Sequence, residues 1–340
     1  MHRPYALLRA GYPYLKTLGM RRITNLPVDV ATSADETVYV LSRDGDIAKL
    51  AWEDQGHNWD EFVPRIGGQG TGDGQFTWPV AMILDSDETL FISDEGLHRI
   101  TLLGKDGEFV GKWGEHGHQD GQLNRPSGIA FDADENMYVV DTLNYRVQKF
   151  TKDGQFLMKW GSPGDRDGEF NMPWGLAVDT QGDVFVGDWR NDRIQKFSAA
   201  GEFLFSFGRS GSGDGEFHRP AGLAVDADGD IYVADSGNDR VQLFDADGQY
   251  VEKFLGDATL SNMARVYLTA NALPLRLRQM ASLEPQKRLR RPRSVRVDDQ
   301  GRMFVPDYES FRVQVYQKEA IALTADQISP PLRSPVLQTI

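Results

Sequence analysis

A chain of 340 residues carries 37 Lys and Arg against 50 Asp and Glu, a formal charge of −13, and no cysteine. The charge argues against a general nucleic-acid binder, and the lack of thiols excludes disulfides, thiol catalysis and Cys-based zinc sites. The length supports one large core. The opening MHRPYALLRAGYPYLK holds no apolar run long enough for a signal peptide or membrane span, so the cytoplasm is the expected compartment.

Residues 1–13 read as an arm, and residues 14–19 (YLKTLG) match residues 156–161 (FLMKWG). From there an anchor proline recurs at Pro27, Pro79, Pro126, Pro173, Pro220 and Pro292, with spacings of 52, 47, 47, 47 and 72 residues. Equal periods mean copies of one unit, and the last spacing is one period with about 25 residues inserted. The unit is clearest in residues 220–244, PAGLAVDADGDIYVADSGNDRVQLF. Its β-branched, aromatic and small residues predict strands at 222–226, 231–235, 240–244 and 250–254, separated by Asp-, Asn- and Gly-rich turns. Four antiparallel strands in about 45 residues make one propeller blade.

The first unit, residues 27 to about 62, is the most divergent, and the next four run 79–114, 126–161, 173–208 and 220–256. Their Gly-Asp-Gly-Glu/Gln-Phe connectors need glycine for positive φ and offer a Phe to plug the gap between blades. Residues 257–291 are the insertion. Ser261 is placed to cap a helix with an apolar stripe of Met263, Val266, Tyr267, Ala270 and Leu273, which Pro274 interrupts. Residues 257–293 hold eight basic residues against Asp257 and Glu284, so this segment reads as a helical pad on an acidic rim, or as a lid or basic contact surface. The last unit has strands at 294–297, 303–307 and 311–316 and lacks a fourth, which residues 14–19 would supply, closing the ring. One propeller domain over 1–318 and a Pro-rich tail over 319–340, lying along the closing blade or mediating assembly, are the expected organisation.

The blocks Gly-Leu-Ala-Val-Asp, Tyr-Val-Ala-Asp and Asn-Asp-Arg-Val-Gln-Leu-Phe, with the connector GRSGSGDGEFHRP, resemble the NHL repeat over roughly residues 14–318. The resemblance implies an all-β, six-bladed β-propeller. It does not imply a function, because NHL propellers do many things.

An Asp ending the second strand stands five residues before an Arg in five units: Asp94/Arg99, Asp141/Arg146, Asp188/Arg193, Asp235/Arg240 and Asp307/Arg312, with Ser42 and Ile47 in the first. Five copies of one pair read as structural ties for the loop joining strands two and three. Strand order puts those loops, the connectors and the insertion on one face. Trp78, Arg125, Tyr145, Trp174, Trp189, Arg190, His218, Arg219 and Arg293 are the candidate ligand or partner residues there, around the mouth of the central channel. Trp174, beside an anchor proline where other units carry Val80, Ser127, Ala221 or Arg293, is either channel filler or a binding platform.

No catalytic residue, metal ligand or cofactor is assigned. Calcium at the acidic connectors would need an EF-hand-like ligand pattern that they lack, and zinc at His98, His116, His118 or His218 would need convergence on one point. The function read from the sequence is a non-enzymatic scaffold recognising a protein, peptide or small ligand on the connector face, without nucleic acid or membrane. The alternative is a metal-dependent propeller hydrolase or lyase, resembling lactonases or amidating lyases, acting in the channel.

Overall fold

The computed structural model describes residues 6–20, 23–53, 63–261, 264–265, 268 and 284–323. Among these residues the repeating unit is a four-stranded antiparallel meander, present six times as the blades of a β-propeller. Blade 1 comprises Pro27–Thr32, Thr37–Ser42, Asp46–Ala51 and Arg65–Gly67. Blade 2 comprises Pro79–Leu84, Leu90–Asp94, Arg99–Leu103 and Phe109–Trp113. Blade 3 comprises Pro126–Phe131, Met137–Asp141, Arg146–Phe150 and Phe156–Trp160. Blade 4 comprises Pro173–Val178, Val184–Asp188, Arg193–Phe197 and Phe203–Phe207, and blade 5 Pro220–Val225, Ile231–Asp235, Arg240–Phe244 and Tyr250–Phe254.

Blade 6 takes Arg296–Val297, Arg302–Asp307 and Arg312–Gln317 from one end of the chain and Tyr14–Leu18 from the other. Tyr14 lies opposite Tyr316 and Leu18 opposite Val313, so Tyr14–Leu18 closes the ring. The neighbouring Ala6–Gly11 pairs with Glu319–Leu323 as a separate two-stranded ribbon, which links the arm to the first residues of the tail. The rest of the tail, 324–340, lies outside the described residues.

Period-two alternation holds where a strand has one wet face, as in Phe156–Trp160 and Phe203–Phe207. The second strands depart from it. Leu90–Asp94, Met137–Asp141, Val184–Asp188 and Ile231–Asp235 are buried along their whole length, because blades pack face to face and cover both sides. The inter-blade core is assembled at these faces: Ala81, Phe91 and Ile100 of blade 2 pack with Ile129, Met137 and Phe150 of blade 3 around Leu123 of the connector. Phe76, Phe170 and Phe217 occupy the equivalent plug positions.

The insertion leaves and rejoins the sixth connector at a closed neck. Ala258 N–H donates to Lys287 O (3.2 Å) and Leu289 N–H to Leu255 O (2.9 Å), and Leu289 is the buried plug three residues before Pro292. Ser261 Oγ accepts the Ala264 amide at 3.1 Å, as a helix cap does. Met263, Val266, Tyr267, Ala270 and Leu273 lie outside the described residues.

Most of the carboxylates that suggest cation sites are engaged by lysines; Asp167, in the fourth connector, instead lies 4.0 Å from Arg193. On the connectors, Asp73 and Asp214 receive Lys112 and Lys253 at 2.7 Å, and Asp120 receives Lys159. At the first turn of blade 5, Asp226, Asp228 and Asp230 surround the Lys318 ammonium at 2.6, 2.7 and 3.0 Å. Glu135, on the corresponding turn of blade 3, accepts from Lys152 and from the Ser86 amide, both at 2.8 Å. These bonds, that of Lys152 first, hold its carboxyl down at about 2. A depressed carboxyl stabilises the fold above its ordinary value of 4.5 and loses that contribution as pH falls toward about 2. Carbon-13 titration is expected to place the Glu135 midpoint near the lower figure. A midpoint at the ordinary value would show that the tie between blades 2 and 3 is not made.

Candidate functional site

In blades 2 to 6 each anchor proline pairs across the sheet with the Asp that ends the second strand, as Pro126 does with Asp141 and Pro220 with Asp235, and in blade 1 Pro27 pairs with Ser42. The connectors and the loops between strands two and three therefore share one face. Each of these Asp carboxylates is fully buried and straps the preceding connector to its blade. Asp235 accepts the His218 amide (2.7 Å), Asn238 Nδ2 (2.8 Å), Arg240 Nε (2.7 Å) and Gln242 Nε2 (3.2 Å). Arg240 reaches on to the carbonyls of Ser212, Gly213 and Glu216. Asp141/Arg146, Asp188/Arg193 and Asp307/Arg312 repeat the ion pair at 2.8–2.9 Å. The tie thus binds the connector as well as the loop read from the sequence.

Blade 2 differs from that reading. Arg99 Nε donates to Thr101 Oγ1 at 3.1 Å, and Asp94 turns to the amides of Thr77, Trp78, Gly96 and Leu97. The other paired blades carry Gln where Thr101 stands, and Leu97 replaces the Asn that blades 3 to 5 use to hold the carboxylate.

A second recurring tie aims arginines outward. Arg125, Arg219 and Arg291, each just before an anchor proline, have left-handed backbones with φ of 57°, 58° and 52°. Side chains rarely accept this conformation without an external hold, at a cost of order 1–3 kcal/mol. The hold is a bond from each amide to the loop of the preceding blade: Arg125 to His98 Nδ1 (3.1 Å), Arg219 to Asp192 (2.7 Å) and Arg291 to Asp239 (2.7 Å). Accepting at Nδ1 puts the His98 proton on Nε2. Burial, then the His116 ring 4.4 Å away, lowers its pKa, so it is a neutral acceptor at physiological pH.

The mouth of the channel is lined by side chains from two sets of positions, the residue after an anchor proline and the residue after the second strand; Ser127, Ala221, Thr142 and Ser236 hold the same places but are buried. Val28, Val80, Trp174 and Arg293 from the first set and Arg43 and Tyr308 from the second enclose a cavity of about 170 Å3. Trp189, also from the second set, lies 6.2 Å from Trp174 at 33°. Around them guanidinia lie against aromatic rings: Arg43 and Arg125 by Trp78 (5.9 and 5.4 Å), Arg190 and Arg219 by Trp189 (6.0 and 4.9 Å), and Arg293 by Tyr308 (4.9 Å). Arg43 is anchored by buried Glu95 at 2.8 Å and by Pro79 O at 3.1 Å. Among the described residues the guanidinia of Arg125, Arg190, Arg219 and Arg293 donate to no acceptor, and Arg293 Nε is fully buried.

Below the mouth the axis is nearly closed. Strands of blades 4 to 6 approach backbone to backbone, with Gly222 N–H bonded to Arg293 O at 2.9 Å. A cavity of about 20 Å3 remains, space for about one water. Beside it Asp29, 1% exposed, accepts from the Val30 and Met82 amides (2.9 and 2.8 Å), Ser294 Oγ (2.7 Å) and Arg296 Nε (2.9 Å) and Nη2. Burial works against the Arg296 charge, but Asp29 outweighs it and raises the pKa.

The structure brings Trp78, Arg125, Trp174, Trp189, Arg190, Arg219 and Arg293 to one face. Tyr145 is drawn away: it takes a left-handed backbone and packs on the core between blades 3 and 4. The exposed His218 lies over Gly237, held through its backbone. Among the described residues no three His, Cys, Asp or Glu side chains converge as a metal-holding group. Sequence reading did not single out Arg43, Tyr308, Asp29, Ser294 or Arg296. The signal for Arg43 and Tyr308 was their place after strand two, the place that also carries Trp189.

This arrangement defines a six-bladed β-propeller with an aromatic and arginine-rich mouth. Residues 170–197 and 217–244 match the NHL repeat, so the chain carries NHL repeats in a six-bladed propeller. No curated protein sequence matches. Among solved structures it is similar to a catalytically inactive virginiamycin B lyase from Staphylococcus aureus with quinupristin, at 11% identity and TM-score 0.56, covering 91% of this chain and 88% of that one. It is similar to a protein of unknown function from Bacteroides thetaiotaomicron at 18% identity and TM-score 0.60, covering 91% and 72%. A gluconolactonase from Xanthomonas campestris is similar at 15% identity and TM-score 0.55, covering 94% and 99%. Identities this low speak for the shared fold alone.

Proposed function

We propose that the chain is a recognition scaffold that binds a protein or peptide partner across the mouth of the propeller. One observation carries the reading: guanidinia without acceptors lie on half-exposed aromatic rings around a shallow cavity, on the face where the repeat is least regular. Exposed Trp and Arg are the residues that dominate binding energy at interfaces, because they combine large apolar area with directed hydrogen bonds. The cavity of about 170 Å3 is below the size usual for small-molecule sites and suits the side chain of a larger partner.

Catalysis in the channel is the second reading, since a carboxylate does stand on the axis. Its support is weaker. Asp29 is committed to five hydrogen bonds, and the space beside it is about 20 Å3.

The test is capture of binding proteins from cells that express the chain. Trp189→Ala with Trp78→Ala is expected to lose the captured set, while Leu204→Ala, at an exposed blade edge, keeps it. Equal capture by both variants would move the interface elsewhere.

A further inference from the structure

Arg293 carries a chemical problem that the fold leaves unsolved. Its Nε is sealed from solvent without an acceptor, its neighbour across the cavity is another cation, Arg43, and its own aromatic neighbour is Tyr308. Burial, then the nearby Arg291 charge, pulls its pKa down. A half-buried cation with a sealed, unpartnered donor and no counter-charge costs stability, and such costs survive at sites where a ligand relieves them. Arg43 is oriented by Glu95 and Pro79 O, which leaves the pair of guanidinia fixed at the wall of one small cavity.

We infer that this cavity receives a carboxylate side chain of an acidic peptide segment, held between Arg43 and Arg293, with further acidic residues of the segment reaching Arg219 and Arg190 on one flank and Arg125 on the other. The inference rests on the binding role proposed above and names the chemistry of the partner. A carboxylate is planar and accepts two parallel bonds, which matches the guanidinium fork. The spacing of the cations favours a peptide over a nucleic acid. They come in separate clusters on Trp78, Trp189 and Tyr308 rather than along a track, and Glu95, Asp192, Asp239 and Glu309 stand between them. With a chain charge of −13, the surrounding field repels a long polyanion, whereas a short segment meets the local cations. The tilted Trp174 and Trp189 rings give an apolar side chain of the same segment a place to lie.

The probe is a fluorescein-labelled glutamate-rich peptide of roughly ten residues with one central Phe, compared by anisotropy with its all-glutamine counterpart and with a single-stranded RNA of equal length. The acidic peptide is expected to bind, and to weaken as salt rises from about 50 to about 500 mM. The glutamine peptide and the RNA are expected to bind at least about tenfold more weakly. Arg293→Gln is expected to weaken the acidic peptide about tenfold while leaving Tm unchanged or raised, since it removes an uncompensated charge. A structural arginine would instead lower Tm and leave affinity alone. Equal binding of acidic and glutamine peptides, tighter binding of RNA, or an Arg293→Gln variant of unchanged affinity would overturn the inference. If cellular capture still depends on Trp78 and Trp189 in that event, the interface stands and only its acidic partner is lost. If that dependence fails as well, both readings fall.

Discussion

Replacing Asp235 with Ala is expected to lower the free energy of unfolding by about 3–5 kcal/mol, read from urea denaturation. The carboxylate is fully buried and gathers Arg240, Asn238, Gln242 and a connector amide. Removing it leaves a guanidinium that is itself buried without its counter-charge, and loosens the strap to the preceding connector. Asp94→Ala is the comparison that isolates this cause. Arg99 keeps Thr101 and the carbonyls of Thr71, Gly72 and Gln75, so only amides lose their acceptor, and the expected loss is about 1–3 kcal/mol. Equal losses in the two variants would show that the ion pair is not what makes the strap strong.

Gly175→Ala is expected to abolish stable folding, a loss above about 4 kcal/mol. A Cβ at Gly175 would stand 2.0 Å from the carbonyl oxygen of Ala221 in the next blade, and neither backbone can yield without parting the sheets at the axis. Gly111→Ala on an outer strand, where a Cβ would meet nothing within 4 Å, is expected to change stability by less than about 0.5 kcal/mol. A soluble Gly175→Ala protein with unaltered circular dichroism and Tm would mean the inner strands stand farther apart than described.

Much of this fold was legible because its unit is copied. Pro126, Pro173 and Pro220 head strands where the period places them, and Tyr14–Leu18 completes the last sheet because its pattern is that of an outer strand. The axis was less legible. Asp29 stands two residues after its anchor proline, where blades 3 to 5 carry glycine, and Arg296 four residues after its own, where blades 4 and 5 carry alanine. Each is a visible departure from the repeat. Their pairing depends on two blades far apart in sequence meeting across the closed ring, which no local pattern reports. Arg99 shows the opposite limit: its spacing from Asp94 is that of the other pairs, yet the side chains at 97 and 101 redirect it. Spacing fixes where side chains can meet, and the neighbours decide whether they do.

The strand that closes the ring is made before the five complete sheets and is satisfied only after them. Tyr14 waits for Tyr316, about 300 residues later, before its amides and carbonyls find their ladder. Five complete sheets can accumulate on the ribosome while this segment stays open, so ring closure is a late and slow event, and the unfinished chain is exposed to association with its siblings until then.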